Sequence, residues 1–207
     1  MRFGPEQADL LRDLLVWRRD VRHFRPDPLP DGAEGRLRAA MDLAPSVGNA
    51  RPWRVLRVES AAKRRLIRDN FAAENARAAA GYQGDQARDY AALKLAGLDH
   101  APLQLAVFTQ QDPSAGHGLG RATMPETLEQ STSMAIFALW LTARAENLGV
   151  GMVSILDPRR VEADLDAPDD WRLTAYLCIG IPEWDDDTPL LHRAGWQANS
   201  TTRWQRV

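Results

Sequence analysis

Apolar residues recur along this chain at two spacings, and the alternation between them divides it into helices and short strands. Residues 5–19 predict a helix: Leu10, Leu11, Leu14, Leu15 and Trp17 gather mostly on one side, and Pro5 suits a first turn. A charged stretch, RRDVRHF, then runs into the breaker PDPLPDG. A second helix is predicted over Asp31–Leu43, with Leu37, Ala40, Met41 and Ala44 at helical spacing and Asp31 as N-cap. APSVGNARPW is irregular because Pro45, Gly48 and Pro52 forbid a regular ladder. WRVLRV, residues 53–58, alternates as a half-exposed strand does.

Residues 61–96 are rich in Ala, Arg, Asp and Glu and predict one or two helices broken near Gly81–Gly84, polar enough to lie on the surface as a cover. LQLAVFT, residues 103–109, is a strand, and the glycine-rich stretch 110–123 a loop. The longest helix is predicted over Thr127–Leu148. Met134, Phe137, Ala138, Leu141, Ala145 and Leu148 mark one apolar face, and Ile136, Leu139 and Trp140 add apolar surface elsewhere. A helix apolar nearly all round is buried on several sides, which points to a central helix at a subunit interface. Gly149–Leu156 reads as a strand after a glycine C-cap, Pro158–Leu165 as a short helix, and Arg172–Ile181 as a central strand. Residues 183–207 are polar, dotted with Trp and irregular; such a tail needs a docking surface. The order of elements gives an α+β, three-layer, single-domain fold.

Length and composition agree with one domain: 207 residues, 44% of them hydrophobic. A formal charge of −2 supplies no basic face for nucleic acid. The lone Cys178 excludes an internal disulfide, and the four dispersed histidines form no zinc motif, so no metal is expected. No apolar run is long enough to span a membrane, and the charged N-terminus is unlike a secretory leader, so a cytoplasmic protein is expected.

Three segments can carry chemistry. Arg18-Arg19-Asp20-Val21-Arg22 concentrates three guanidiniums, and Arg18 and Arg22 share a face if the helix persists; together they fit an anion such as phosphate. The same run also fits a solvated helix end. Ala44–Asn49 offers a hydroxyl and a glycine to a flat ligand, and equally fits an ordinary connection. Ser154 is a lone hydroxyl in an apolar strand, with no G-x-S-x-G elbow around it. No P-loop or G-x-G-x-x-G fingerprint is present, and Cys178 reads as a buried, inert thiol.

In this order and spacing the three segments resemble the nitroreductase family of flavoproteins, over residues 10–182. RRDVRHF resembles its arginine motif, APSVGNARPW its flavin loop, and GVGMVSI the strand beside the flavin's central ring. Asp20 in the arginine motif, Pro45–Gly48, the run Leu93–Gly97 followed by Ala101-Pro102-Leu103, and Ser154 are similar to one branch of the family. That branch consumes its flavin with oxygen.

The resemblance implies a nitroreductase-like α/β/α sandwich with a mixed sheet and long central helix, forming an intertwined homodimer. Each site would combine the arginine motif of one subunit with the Pro-Ser loop of the other. It implies FMN: reduced FMN as substrate and O2 as co-substrate, giving 5,6-dimethylbenzimidazole, the lower ligand of vitamin B12, and erythrose 4-phosphate. A flavin reductase would supply the reduced FMN. Asp20 and Ser154 would be catalytic. Arg18, Arg19, Asp20, Arg22, Pro45, Ser46, Gly48, Ser154 and Leu156 would bind the flavin: Arg18 and Arg19 at the phosphate arm, Arg22 at the ring, and the partner's Ser46 and Gly48 at the dimethylbenzene edge. Residues 70–95 would form a lid and residues 183–207 a docking tail. Arg51 stands where the family carries Gln, and Gln197 and Asn199 stand where basic tail residues are expected. The alternatives are a conventional FMN-dependent NAD(P)H nitroreductase or flavin oxidoreductase, and a non-catalytic flavin carrier.

Overall fold

Successive side chains of LQLAVFTQ point to opposite faces and are buried on both, so they divide between two cores, and the molecule is built outward from that division. The computed structural model describes residues 1–93 and 97–207. Helix α1 spans Pro5–Trp17 and α2 Ala33–Asp42; strand β1 is Trp53–Arg57; α3 is Ala61–Ala79, α4 Gly84–Ala92 and α5 Gly97–His100; β2 is Leu103–Gln110. Then come α6 Thr127–Ala145, β3 Gly149–Val153, α7 Pro158–Asp164, β4 Trp171–Gly180 and α8 Leu190–Arg193.

The four strands are ordered β1-β2-β4-β3, and every ladder between them is antiparallel. Among the described residues the sheet is mixed only through one parallel bridge outside the strands, Asp20 to Val150. A register shift at Val107/Phe108 interrupts the β2–β4 ladder. Leu103, Leu105 and Val107 of β2, with Ala175, Leu177 and Ile179 of β4, pack on α2 and α6. Ala106, Phe108, Tyr176 and Cys178 point to the opposite face, against Ile67 of α3 and Val161 of α7. Three layers result. The second core carries a satisfied polar pair, in which Tyr176 Oη donates to Gln104 Oε1 at 2.7 Å and Gln104 Nε2 donates to the Leu98 carbonyl at 2.9 Å. Burial pushes the Tyr176 phenol and the Cys178 thiol up, the latter to about 12.

Several boundaries differ from expectation for tertiary reasons. The first helix stops at Trp17, not Arg19, and Arg18 is already extended, so Arg18 and Arg22 do not share a helical face. Gly32, in the left-handed region, precedes α2 where Asp31 was the expected cap. The turn after α6 is made by Asn147 at φ 58°, while Gly149 opens β3 because a Cβ there would sit 2.8 Å from the Val21 side chain. The face of α6 that meets the sheet carries Ile136, Leu139, Trp140 and Ala143; Met134 and Phe137, on the expected face, are exposed. Two short helices, α5 and α8, have no counterpart in the sequence reading.

The α3–α4 break falls where Gly81–Gly84 predicts it. Tyr82 and Tyr90 stack at 4.8 Å, and Trp196 of the tail meets Tyr82 edge-on at 5.4 Å. Thus the tail rests on its own chain at Trp196, and within the tail Asn199 N–H donates to His192 Nδ1 at 3.1 Å. The expected cover continues to Leu95, and the run Leu93–Gly97 carries part of the family likeness; Lys94, Leu95 and Ala96 lie outside the described residues.

Candidate functional site

Once α1 ends, the arginine segment crosses the edge of the sheet beside β3. Val21 N–H donates to the Val150 carbonyl at 3.0 Å. Asp20 Oδ1 accepts from Met152 N–H at 2.9 Å, and Asp20 Oδ2 faces Arg22 Nε at 3.3 Å. Close approach is possible because β3 reads Gly-x-Gly: a Cβ on Gly151 would lie 2.1 Å from the Val21 carbonyl oxygen. The carboxylate stays partly open to solvent, with 40% of its side chain exposed. Its second oxygen is therefore available to a ligand's proton.

The three guanidiniums do not converge on one point. Arg18 lies over the rings of Trp140, at 5.1 Å, and Phe137, at 5.9 Å, both on α6. Arg19 turns back to donate to the Leu15 and Val16 carbonyls at the end of α1. Its own carbonyl accepts from Trp140 Nε1 at 3.2 Å. The Arg19 guanidinium is held below its ordinary value by burial and by the Arg18 charge, against the opposing pull of Asp186 and Asp187. Arg18 Nε and Arg19 Nε are buried without a hydrogen-bond partner among the described residues. Arg18 and Arg19 thus each keep a donor without a protein partner, and Arg19 together with Asp20 and Arg22 suits a ligand carrying both an anion and neutral hydrogen-bonding groups. A cavity of about 90 Å³ opens here, lined by Arg19, Asp20, Arg22, His23, Arg144 and Asp186, among others.

Ser154 follows directly on β3, two residues past Met152, and is exposed. Leu156 is half-buried against the α3/α7 core, as is Val21. The arginine motif and the Ser154 strand are thus brought together within one chain.

The Pro-Ser loop is elsewhere. Pro45 is exposed, Ser46 Oγ accepts from Arg51 N–H at 2.8 Å, and Val47 N–H donates to Ser131 Oγ at 3.0 Å. Gly48 has φ +53°, and a Cβ there would lie 2.9 Å from the Gly116 carbonyl. Ser131 and Trp140 are nine residues apart on α6, so this loop and the arginine segment stand about 13 Å apart along its axis. Arg51, the departure from the family pattern, is left-handed at φ 46°. A larger groove of about 920 Å³, lined by Arg38, Arg51, Arg54 and Arg57 among others, follows β1 beneath α2 and includes neither Asp20 nor Ser154.

Sequence reasoning missed two contributors. Trp140 was read only as apolar surface, although it supports Arg18 and binds the Arg19 carbonyl; a lone indole in an aliphatic helix was the available signal. Met152 contributes a backbone amide, which no side-chain pattern announces. No metal-binding group of His, Cys, Asp or Glu occurs among the described residues, and no described helix is long and apolar enough to cross a membrane.

Comparison with known proteins bears on this geometry. A 5,6-dimethylbenzimidazole synthase of Rhodobacter capsulatus is 64% identical over 206 residues, covering 100% of both chains. One of Rhodospirillum rubrum is 54% identical over 197 residues, covering 95% of this chain and 93% of that protein. Among solved structures, an iodotyrosine deiodinase bound to FMN and 3-iodo-L-tyrosine superposes with a TM-score of 0.75 at 25% identity, over 95% of this chain and 100% of that one. A BluB-like flavoprotein from Clostridium difficile shares the fold, with a TM-score of 0.63 at 20% identity over 95% and 94% of the two chains. The family model named Nitroreductase family matches residues 15–181, the stretch that carries the arginine segment, the Pro-Ser loop and the Ser154 strand, and the chain belongs to that family.

Proposed function

We propose that this chain is a 5,6-dimethylbenzimidazole synthase, an oxidoreductase that fragments reduced FMN with O2 into 5,6-dimethylbenzimidazole and erythrose 4-phosphate. The observation that carries the reading is the seat of Asp20: its carboxylate is pinned on the N–H of Met152, in the strand that Ser154 directly follows. The full-length relatives named for this activity favour it over the conventional reductase.

The unpartnered Arg18 and Arg19 donors favour a phosphate-bearing ligand, and the Gly-x-Gly edge of β3 lets the arginine segment itself lie against the strand, which sets Asp20 beside Met152. Reduced FMN supplies the electrons for oxygen and the carbon skeleton of the product. Asp20 then holds or accepts a proton through Oδ2, the oxygen not bound to Met152, which also accepts from Arg22 Nε at 3.3 Å. The Ser154 hydroxyl donates to, or accepts from, the polar edge of the ring. Arg22 places positive charge where a reduced ring is electron-rich. Helices α3 and α4, held by Trp196 against Tyr82, are the segment that would cover the site and limit water once the flavin is bound.

The active form in this reading is a homodimer. Helix α1 has no buried residue and exposes Leu10, Leu11, Leu15, Val16 and Trp17, and α6 exposes Met134 and Phe137. Burying these against a second copy supplies the Pro-Ser loop, with Pro45, Ser46 and Gly48, that lies too far from Asp20 within one chain. A separate flavin reductase supplies reduced FMN.

The test is direct. Purified protein given reduced FMN and air yields a benzimidazole by mass spectrometry. FMN that survives many turnovers of NAD(P)H oxidation overturns the reading in favour of the reductase, and binding without either reaction makes the chain a carrier.

A further inference from the structure

Helix α3 is rich in Ala and Arg, and its two buried residues are Ile67 and Asn70. An asparagine inside a helix is unfavourable by propensity, and a fully buried amide is costly unless its hydrogen bonds are made. Asn70 is 0% exposed and both ends of its amide are used on one residue. Nδ2 donates to the Asp157 carbonyl at 3.0 Å, and Oδ1 accepts from Asp157 N–H at 2.9 Å. The side chain thus imitates the paired exchange of an antiparallel ladder. Asp157 is held on its other side too, because its Oδ1 caps α7 by accepting from Arg159 and Arg160 N–H.

The consequence lies upstream. Val153, the last residue of β3, is fixed in the ladder opposite Tyr176. Ser154, Ile155 and Leu156 therefore span the gap between two anchored ends. A residue needed only to fill the space at 70 would be apolar; what the structure holds is a bidentate clasp on the peptide that sets where this span ends.

We propose that Asn70 is a positioning residue for Ser154, fixing the 154–157 backbone from the root of the covering helices. The inference rests on the role given to Ser154 above. Asn70 does not touch the ligand; it determines where the Ser154 hydroxyl is presented.

The experiment uses the full-length protein and four variants: Asn70→Ala, Ser154→Ala, the double variant, and Ile67→Ala, which cuts the same buried face of α3 without touching Asp157. Hydrogen exchange of the unliganded protein gives a readout independent of activity: Asn70→Ala speeds exchange in the peptide carrying Asp157, and Ile67→Ala does so less. In assays with saturating reduced FMN, Asn70→Ala slows product formation roughly tenfold or more while affinity for oxidised FMN, followed by flavin fluorescence, stays within about twofold. The double variant is no slower than Ser154→Ala alone, because the clasp acts through that hydroxyl.

The proposal is overturned if Asn70→Ala loses no more rate than Ile67→Ala, or if the two losses multiply in the double variant. Should Asn70→Ala fail to fold, the isosteric Asn70→Asp, which sets an oxygen against the Asp157 carbonyl, is held to the same outcomes. A Ser154→Ala enzyme with full activity removes the catalytic role of Ser154 and this inference with it. An inactive Ser154→Ala beside a fully active Asn70→Ala removes this inference alone.

Discussion

Asp20 Oδ1 accepts the backbone N–H of Met152 at 2.9 Å, joining residues 132 positions apart in the chain. One oxygen of the carboxylate is structural and the other is available for chemistry, so the two roles separate by substitution. Asp20→Asn keeps an acceptor for Met152 and is expected to fold and bind FMN normally, while product formation falls about 10²–10⁴-fold with the loss of a proton acceptor. Asp20→Ala also loses the acceptor and is expected to cost about 1 kcal/mol of stability, modest because water reaches the site. Denaturant unfolding and product assay on the two variants check this. Equal stability of both would remove the structural half of the claim.

Ser154 differs because it is exposed and outside the ladder. Ser154→Ala is expected to change stability by no more than about 0.5 kcal/mol. Product formation nevertheless falls steeply, with FMN still bound. Thermal unfolding and flavin titration on one preparation separate these outcomes. A parallel loss of stability and activity would make Ser154 a structural residue.

Much of this was legible in the sequence, and for a definite reason. The apolar run at 103–109 marks a buried strand whatever the loops do, and the order of helices and strands then leaves few ways to cover both faces of a sheet. The site was legible by likeness of motif; its geometry was not. That Arg18 leaves the helix to lie on Trp140, or that Asp20 reaches a backbone amide of β3, depends on residues brought together only by folding. Which face of α6 meets the sheet was not legible, because an all-round apolar helix carries no mark of it. Asn70 was invisible because a buried amide and a surface amide look alike in a polar helix.

Glycines test how closely the arginine segment must approach β3. Gly151→Ala would place a Cβ 2.1 Å from the Val21 carbonyl oxygen, backbone that cannot swing aside. The expected cost is about 3 kcal/mol, the upper end of overpacking, with FMN binding lost because Asp20 no longer reaches Met152. Gly35→Ala in α2 has nothing within 4 Å of the added Cβ and is expected to stabilise by about 0.5–1 kcal/mol through helix propensity. Chemical denaturation of both variants gives the signs. Wild-type stability in Gly151→Ala would mean that the segment is free to move away from the strand.

The last prediction concerns acid stability. Arg36 of α2 clasps Glu146, just after α6, with Nε and Nη2 donating to the two carboxylate oxygens at 2.7 and 2.8 Å. The hydrogen bond to Arg36 holds the Glu146 carboxyl below its ordinary value, against the opposing effect of burial. A carboxyl depressed in the folded state binds its proton more readily once unfolded, so its contribution is present at neutral pH. It is lost as the pH falls past the ordinary glutamate range, near 4.3, and on through the depressed folded value. Glu146→Gln should therefore be less stable than wild type at pH 7, with the difference shrinking steadily below about pH 4. Arg36→Gln should show the same convergence, because it removes the cause of the shift. Urea unfolding at pH 7 and pH 3 measures it. A gap between wild type and Glu146→Gln that is constant across this range would show that the clasp acts through packing and not through the carboxylate's charge.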